Sequence, residues 1–258
     1  MISKVREVLE YRDFFVQLVS LQLRQRYQYS VLGFLWTLVN PILVLLSFTV
    51  IFSYINHQNM REYGVYFFSG YLPWTFFANT SSAATESVVG NASYVTRIHL
   101  PAAILPLASV ALNIVDLFAS LLVLTVVMTL VGAKFSAALL ILPVSICLLV
   151  VFVSGLALLF SVLNVFMRDF RHLLTSMLFI GFFLSPVLFK LESLPANARR
   201  LFALNPMVPF LNLFQAPISR GTLPSAEDLA AAAFIATATL LAAAYCFFRS
   251  ENRFYYYV

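Results

Sequence analysis

Charge is what this sequence has least of: Asp, Glu, Lys and Arg make up 10% of its 258 residues, against about 25% in an ordinary soluble domain. A chain so poor in charge has too little polar material to face water on all sides, which excludes a soluble globular protein. Its net +5 is scattered among loops rather than gathered into a stripe. That argues against nucleic acid as a partner and leaves anionic lipid headgroups as the fitting one. Cysteine is scarce too. Cys147 and Cys246 each fall inside an apolar run, where a thiol is expected to be buried as a small hydrophobe, so no disulfide framework or redox compartment follows.

Several chemical signatures are missing. No stretch reads GxxxxGKS/T, so a nucleoside triphosphate cannot be cradled by the P-loop route. His57, His99 and His172 lie in three separate loops, and no cluster of His, Cys, Asp or Glu has metal-ligand spacing. No nucleophile elbow appears, so neither a catalytic nor a metal-binding residue is assigned. Residues 1–13 are polar and lack the short apolar core of a cleavable signal, so insertion is expected to rely on the first span itself.

What the chain does have is grease: 61% hydrophobic residues and a mean hydropathy of +0.89. With about 20 residues needed per crossing, the expected fold is an all-α polytopic membrane protein with six transmembrane helices, at about 33–55, 63–89, 104–131, 137–163, 172–189 and 226–248. Residues 1–32 form a cytoplasmic segment and 33–258 a single transmembrane domain. Residues 190–224 hold Pro195, Pro206, Pro209, Pro217 and Pro224. Their apolar pieces are too broken to span, so short re-entrant helices are expected there. Six spans place both termini on one side. The segments then grouped with them carry ten Lys or Arg against six on the other side, which makes the shared side cytoplasmic.

Residues 23–41, LRQRYQYSVLGFLWTLVNP, organise the rest. A polar stripe at Asp13, Gln17, Ser20, Arg24 and Gln28 predicts an amphipathic helix over 12–29 lying in the membrane interface or packed on the protein surface. Gly33 permits a bend, Trp36 suits the headgroup boundary, and Pro41 predicts a kink near Asn40. The second span is unusually polar, with Ser69, Thr75, Asn79, Thr80, Ser81, Ser82, Thr85 and Glu86, so this face is expected to point at helices or an aqueous path. It is also crowded with aromatic rings, which can stack on sugar faces. Asp116 is the carboxylate near the middle of the third span. With Asn113 one turn away, its expected role is an interhelical hydrogen bond rather than proton or sodium coupling.

At this point the motifs resemble a known family, the membrane subunits of ABC-2 type polysaccharide exporters of the Wzm and TagG group. The matching stretches are RQRYQYSVLGFLWTLVNP (24–41), YFFSGYLPWTFFANT (66–80), RIHLPAAILPLAS (97–109), NVFMRDFRH (164–172), SPVLF (185–189), NPMVPF (205–210) and FFRSENRF (247–254). They are collinear over nearly the whole chain. Departures fall at Arg97, where the family often has Lys, and at Leu21, near which it has a basic residue. The resemblance implies a homodimer in the bacterial inner membrane, each copy bound to a separate ATPase that holds ATP and Mg, and a glycan on undecaprenyl pyrophosphate as substrate, of O-antigen or teichoic acid type. It assigns substrate admission to Arg24, Arg26, Tyr27, Leu32, Gly33 and Trp36, and a channel lining to Tyr66, Tyr71, Trp74 and Phe77. Asn91, Tyr94 and Arg97 would couple to the ATPase, Arg168 and Asp169 would form a cytoplasmic turn, and Asn205, Pro206 and Pro209 an outer gate. A permease for capsular glycan, lipids or drugs is the nearest rival. A membrane-embedded transferase would need carboxylates or His gathered at the membrane boundary, and none are.

Overall fold

Helix ends in this chain are written by short polar residues and by glycine. Asn59 opens one helix by accepting the Arg61 N–H at 3.0 Å, and Ser225 opens another, exchanging bonds with Asp228 in the manner of a capping box. Gly132 closes a third at φ +73, a left-handed conformation that suits glycine. The structure is a computed structural model describing residues 8, 10–28, 32–56, 59–97, 100–133, 135–193, 195, 197, 202 and 204–257, with no strand among them. The helices are α1 (Arg12–Tyr27), α2 (Trp36–Asn56), α3 (Met60–Gly90), α4 (Ala92–Arg97), α5 (Ile104–Val131), α6 (Leu142–Phe166), α7 (Phe170–Phe183), α8 (Met207–Gln215) and α9 (Ala226–Phe254).

Helix α3 is the axis of the bundle, packing against α2, α5, α6, α7 and α8. Of the polar residues expected to turn inward, Ser69, Thr80, Ser81 and Thr85 are buried and Thr75 is half-buried, while Asn79, Ser82 and Glu86 are exposed. The most extensive pairing is between α6 and α9. There Gly155 lets the backbones touch, since a Cβ at this position would sit 2.8 Å from the Leu240 nitrogen. The main core runs through the middle, around Phe67, Phe68, Phe152, Phe210 and Phe214. A smaller core at one end unites Leu18 of α1, Val88 of α3, Ile104 of α5, Val165 of α6 and Phe247 and Phe254 of α9. The amino-terminal segment, the stretch around residue 100 and the two helix ends thus share one end of the molecule, the grouping that the charge count uses. Glu251 fastens that end further by accepting the Ala102 N–H at 2.9 Å.

Among the described residues, four helices are long and apolar enough to cross a membrane: Gly33–Phe52, Ile104–Val131, Ala137–Phe166 and Ala226–Phe254. Two of the six expected spans fall short of that standard for different reasons. The hydroxyl-rich face of α3 dilutes its hydropathy, although its 31 residues reach about 46 Å at 1.5 Å per residue. Helix α7 stops after 14 residues, because Pro186 disfavours helical backbone at Ser185, so the span expected at 172–189 is cut short. Helix α9 continues to Phe254 instead of ending near 248, since Phe254 is fully buried. Both cysteines are exposed on the outside of the bundle, not buried in it. Pro41 is accommodated inside α2. Helix α1 packs on α5, while Val16 and Leu21 stay exposed on its far side.

After α7 the chain leaves helical conformation over residues 184–190 but stays inside the bundle, with Ser185 and Val187 fully buried. Side chains bind its backbone. Tyr66 Oη donates toward Pro186 O (3.0 Å) and Phe189 O (2.7 Å), Tyr63 Oη to Leu188 O (3.0 Å), and Gln215 Nε2 to Pro186 O (2.7 Å). Irregular backbone deep in such a bundle requires this kind of compensation.

Candidate functional site

The chain turns from α1 into α2 at Gly33, whose φ is +47. A Cβ there would meet nothing within 4 Å, so backbone conformation and not space calls for glycine. The turn folds the end of α1 beside α5, and Arg26 Nη1 donates to Asp116 Oδ2 at 2.7 Å. This is a short, charge-assisted bond. Asp116 lies about 18 Å along α5 at 1.5 Å per residue. A carboxylate at that depth is costly unless paired, and Arg26 is the pairing. Asp116 therefore does bind another helix, but through an ion pair. Asn113 instead donates to Ser109 O of its own helix at 2.8 Å. Asp116 Oδ1 is buried without a hydrogen-bond partner among the described residues.

Around this pair α1, α2, α3 and α5 enclose a polar cavity of about 360 Å³, lined among others by Arg26, Gly33, Trp36, Asn40, Tyr71, Asn79 and Asp116. Of the residues assigned to admission, the structure thus brings together Arg26, Gly33 and Trp36. Leu32 stands exposed beside the turn, and Arg24 is exposed on α1. The side chain of Tyr27 and residues 29–31 lie outside the described residues.

The four channel aromatics divide. Tyr71 lines the polar cavity and also a shallower cleft of about 340 Å³ against α2 and α7, which it shares with Trp74. Trp74 and Phe77, with ring centroids 5.3 Å apart, line an apolar cavity of about 660 Å³ under α7, with Asn205 and Pro206 at its rim. Tyr66 stands apart, buried at 4% exposure with its hydroxyl committed to the segment after α7.

Among the remaining assigned residues, Asn91, Tyr94 and Asn205 make structural contacts. Asn91 closes α3, its Nδ2 donating to Ser87 O at 2.8 Å. Tyr94 of α4 meets Phe14 of α1 edge to face at 6.0 Å, linking α4 to the amino-terminal helix. The side chain of Arg97 lies outside the described residues. Arg168 and Asp169 are exposed and no ion pair joins them. Arg171 instead reaches Glu86 of α3 at 3.5 Å. Asn205 bridges two elements, accepting the Met207 N–H at 2.9 Å and donating to Ser185 Oγ at 2.8 Å, with Pro206 at the cap of α8 and Pro209 within it. Sequence reading missed Tyr63 and Gln215. The only signal for Gln215 is that a buried amide beside a proline-broken stretch has to find carbonyls to serve.

The family model for ABC-2 type transporters matches residues 14–218. Over 256 residues, 98% of each chain, the sequence is 31% identical to the O-antigen export system permease protein RfbA of Myxococcus xanthus. It is 25% identical over 212 residues, 82% of each chain, to the protein of the same name in Klebsiella pneumoniae. Against the polysialic acid transport protein KpsM of Escherichia coli it is 23% identical over 222 residues, 85% of this chain and 86% of that one. A match of this extent, on a bundle of apolar helices, has one reading: the chain is a multi-pass membrane protein that belongs to the ABC-2 type transporter family.

Proposed function

We propose that this chain is the transmembrane subunit of an ATP-driven exporter of polysaccharide carried on undecaprenyl pyrophosphate, O-antigen in type. It works in the inner membrane as a homodimer with two copies of a separate ATPase that supplies nucleotide and Mg binding. In this reading α3 and α7 complete a set of six spans, and the end that holds α1, α4 and the last turns of α9 is cytoplasmic. The observation that carries it is the full-length likeness to an O-antigen export permease, joined to a polar cavity placed where α1 turns into the first span. The likeness to a polysialic acid transport protein favours capsular glycan as the second candidate cargo.

Mechanistically, Arg24 and the exposed edge of Arg26 steer the lipid diphosphate, because a guanidinium fork matches phosphate oxygens. Tyr71, Trp74 and Phe77 offer ring faces to the passing glycan, and residues 205–209 act as the outer gate. Closure of the ATPase pushes on the segment around Asn91, Tyr94 and Arg97. The Phe14–Tyr94 contact carries that push to α1.

Export of surface glycan in a strain lacking the chain, restored by plasmid copies, tests this. The Arg24→Ala/Arg26→Ala variant is expected to insert normally and lose export. Since Arg26→Ala also strands Asp116, the same variant carrying Asp116→Asn serves as control and is expected to lose export as well. Unchanged export in both would remove the steering role. ATP hydrolysis by the chain alone would end the division of labour.

A further inference from the structure

We infer that the polar cavity between α1, α2, α3 and α5 is a recognition site for a neutral sugar, the carrier-linked end of the glycan, while the diphosphate stays at its mouth. This deepens the export reading above and rests on it. The charge inside is balanced: Arg26 is bonded to Asp116 at 2.7 Å, so an anion entering would have to compete with a carboxylate for its cation. Asp116 Oδ1 is buried and has no hydrogen-bond partner among the described residues, and an ionised carboxylate oxygen accepts only. A phosphate brings it no donor, whereas a sugar hydroxyl does.

The other lining groups agree. Asn40 and Asn79 face the same cavity and make no side-chain hydrogen bond among the described residues. Each amide offers donor and acceptor together, the complement of adjacent hydroxyls. Thr37 and Thr75, by contrast, are spent on nearby backbone carbonyls, those of Phe34 and Tyr71. Trp36 and Tyr71 supply apolar ring faces for the C–H side of a pyranose. A volume of about 360 Å³ lies in the range of small-molecule sites, so the cavity seats a short sugar end rather than a length of polymer. Arg26, 45% exposed at its side chain, stands at the edge of the cavity, and the diphosphate is placed at that mouth.

The test uses the chain assembled with its ATPase in lipid nanodiscs and two probes, a polyprenyl diphosphate with and without one neutral hexose. The sugar-bearing probe is expected to bind about tenfold tighter, the yield of one or two added hydrogen bonds to a charged acceptor. Asp116→Asn is expected to abolish that advantage and, by releasing Arg26, to tighten binding of the bare diphosphate. Asn79→Ala, at an exposed position with no partner to lose, is expected to reduce the advantage to about threefold or less with the bare probe unaffected, which covers the case where Asp116→Asn does not fold. Equal binding of the two probes by the unsubstituted complex overturns the sugar site and leaves the export reading standing. Loss of both probes together in Asn79→Ala also overturns it. Failure of the unsubstituted complex to bind either probe overturns both readings.

Discussion

Gly155 and Gly90 lie in helices of similar length but face different neighbourhoods. A Cβ on Gly155 would press into the Leu240 backbone at 2.8 and 2.9 Å, and backbone cannot step aside as a flexible side chain can. Gly155→Ala is therefore expected to cost about 1–3 kcal/mol through overpacking, visible as a lowered melting temperature in detergent. At Gly90 nothing lies within 4 Å, so Gly90→Ala is expected to be neutral or to gain up to about 1 kcal/mol. Equal behaviour of the two would contradict the close crossing of α6 and α9. The Arg26–Asp116 bond is the other residue whose partner matters more than its type. The two are 90 positions apart, so the sequence shows a carboxylate that needs a cation and an arginine near a turn, but not that they meet.

At the scale of elements, the stretch after α7 depends on borrowed donors. Tyr66→Phe removes the hydroxyl that serves Pro186 O and Phe189 O; Pro186 O keeps Gln215 Nε2, and Phe189 O loses its donor. A cost of about 1–3 kcal/mol is expected, with faster amide exchange over residues 184–190 and little change elsewhere. Tyr63→Phe, which takes the donor from the buried Leu188 O, is expected to have a comparable effect in the same place. Unaltered exchange in both variants would show that these hydroxyls do not hold the segment. Helix limits were legible where local chemistry writes them. The span expected at 104–131 coincides with α5 because Pro101 and Gly132 bracket it, and the inward turn of most α3 hydroxyls followed from their cost in lipid. Tyr66 was not legible as a strut, since its acceptors lie more than a hundred residues away and an aromatic-rich run looks the same whether its rings line a passage or a core. The polar cavity was legible as far as Arg26, Gly33 and Trp36, which share one stretch. Asn40, Asn79 and Asp116 join them only through tertiary packing.

For the whole molecule, the medium decides what an exposed residue means. Leu241 is 55% exposed near the middle of α9. In water, Leu241→Asp would be close to neutral, within about 0.5 kcal/mol. In a bilayer it is expected to cost about 2.5–3.5 kcal/mol of insertion free energy, read as a shift in a membrane-insertion assay, and a neutral outcome would take α9 out of the membrane. The touching backbones at Gly155 carry a further consequence. Helices joined that closely cannot slide past each other by even a methyl group, so α6 and α9 make a keel for the whole bundle. The first span and α7 lack that kind of lock at their glycine contacts, since a Cβ on Gly64 would meet the Thr49 side chain and one on Gly181 the Trp74 side chain rather than backbone, and α7 buries only Phe170 and Leu174. Any passage opened through this protein has to be made by planks swinging off that keel, and α2 and α7 are the loose planks.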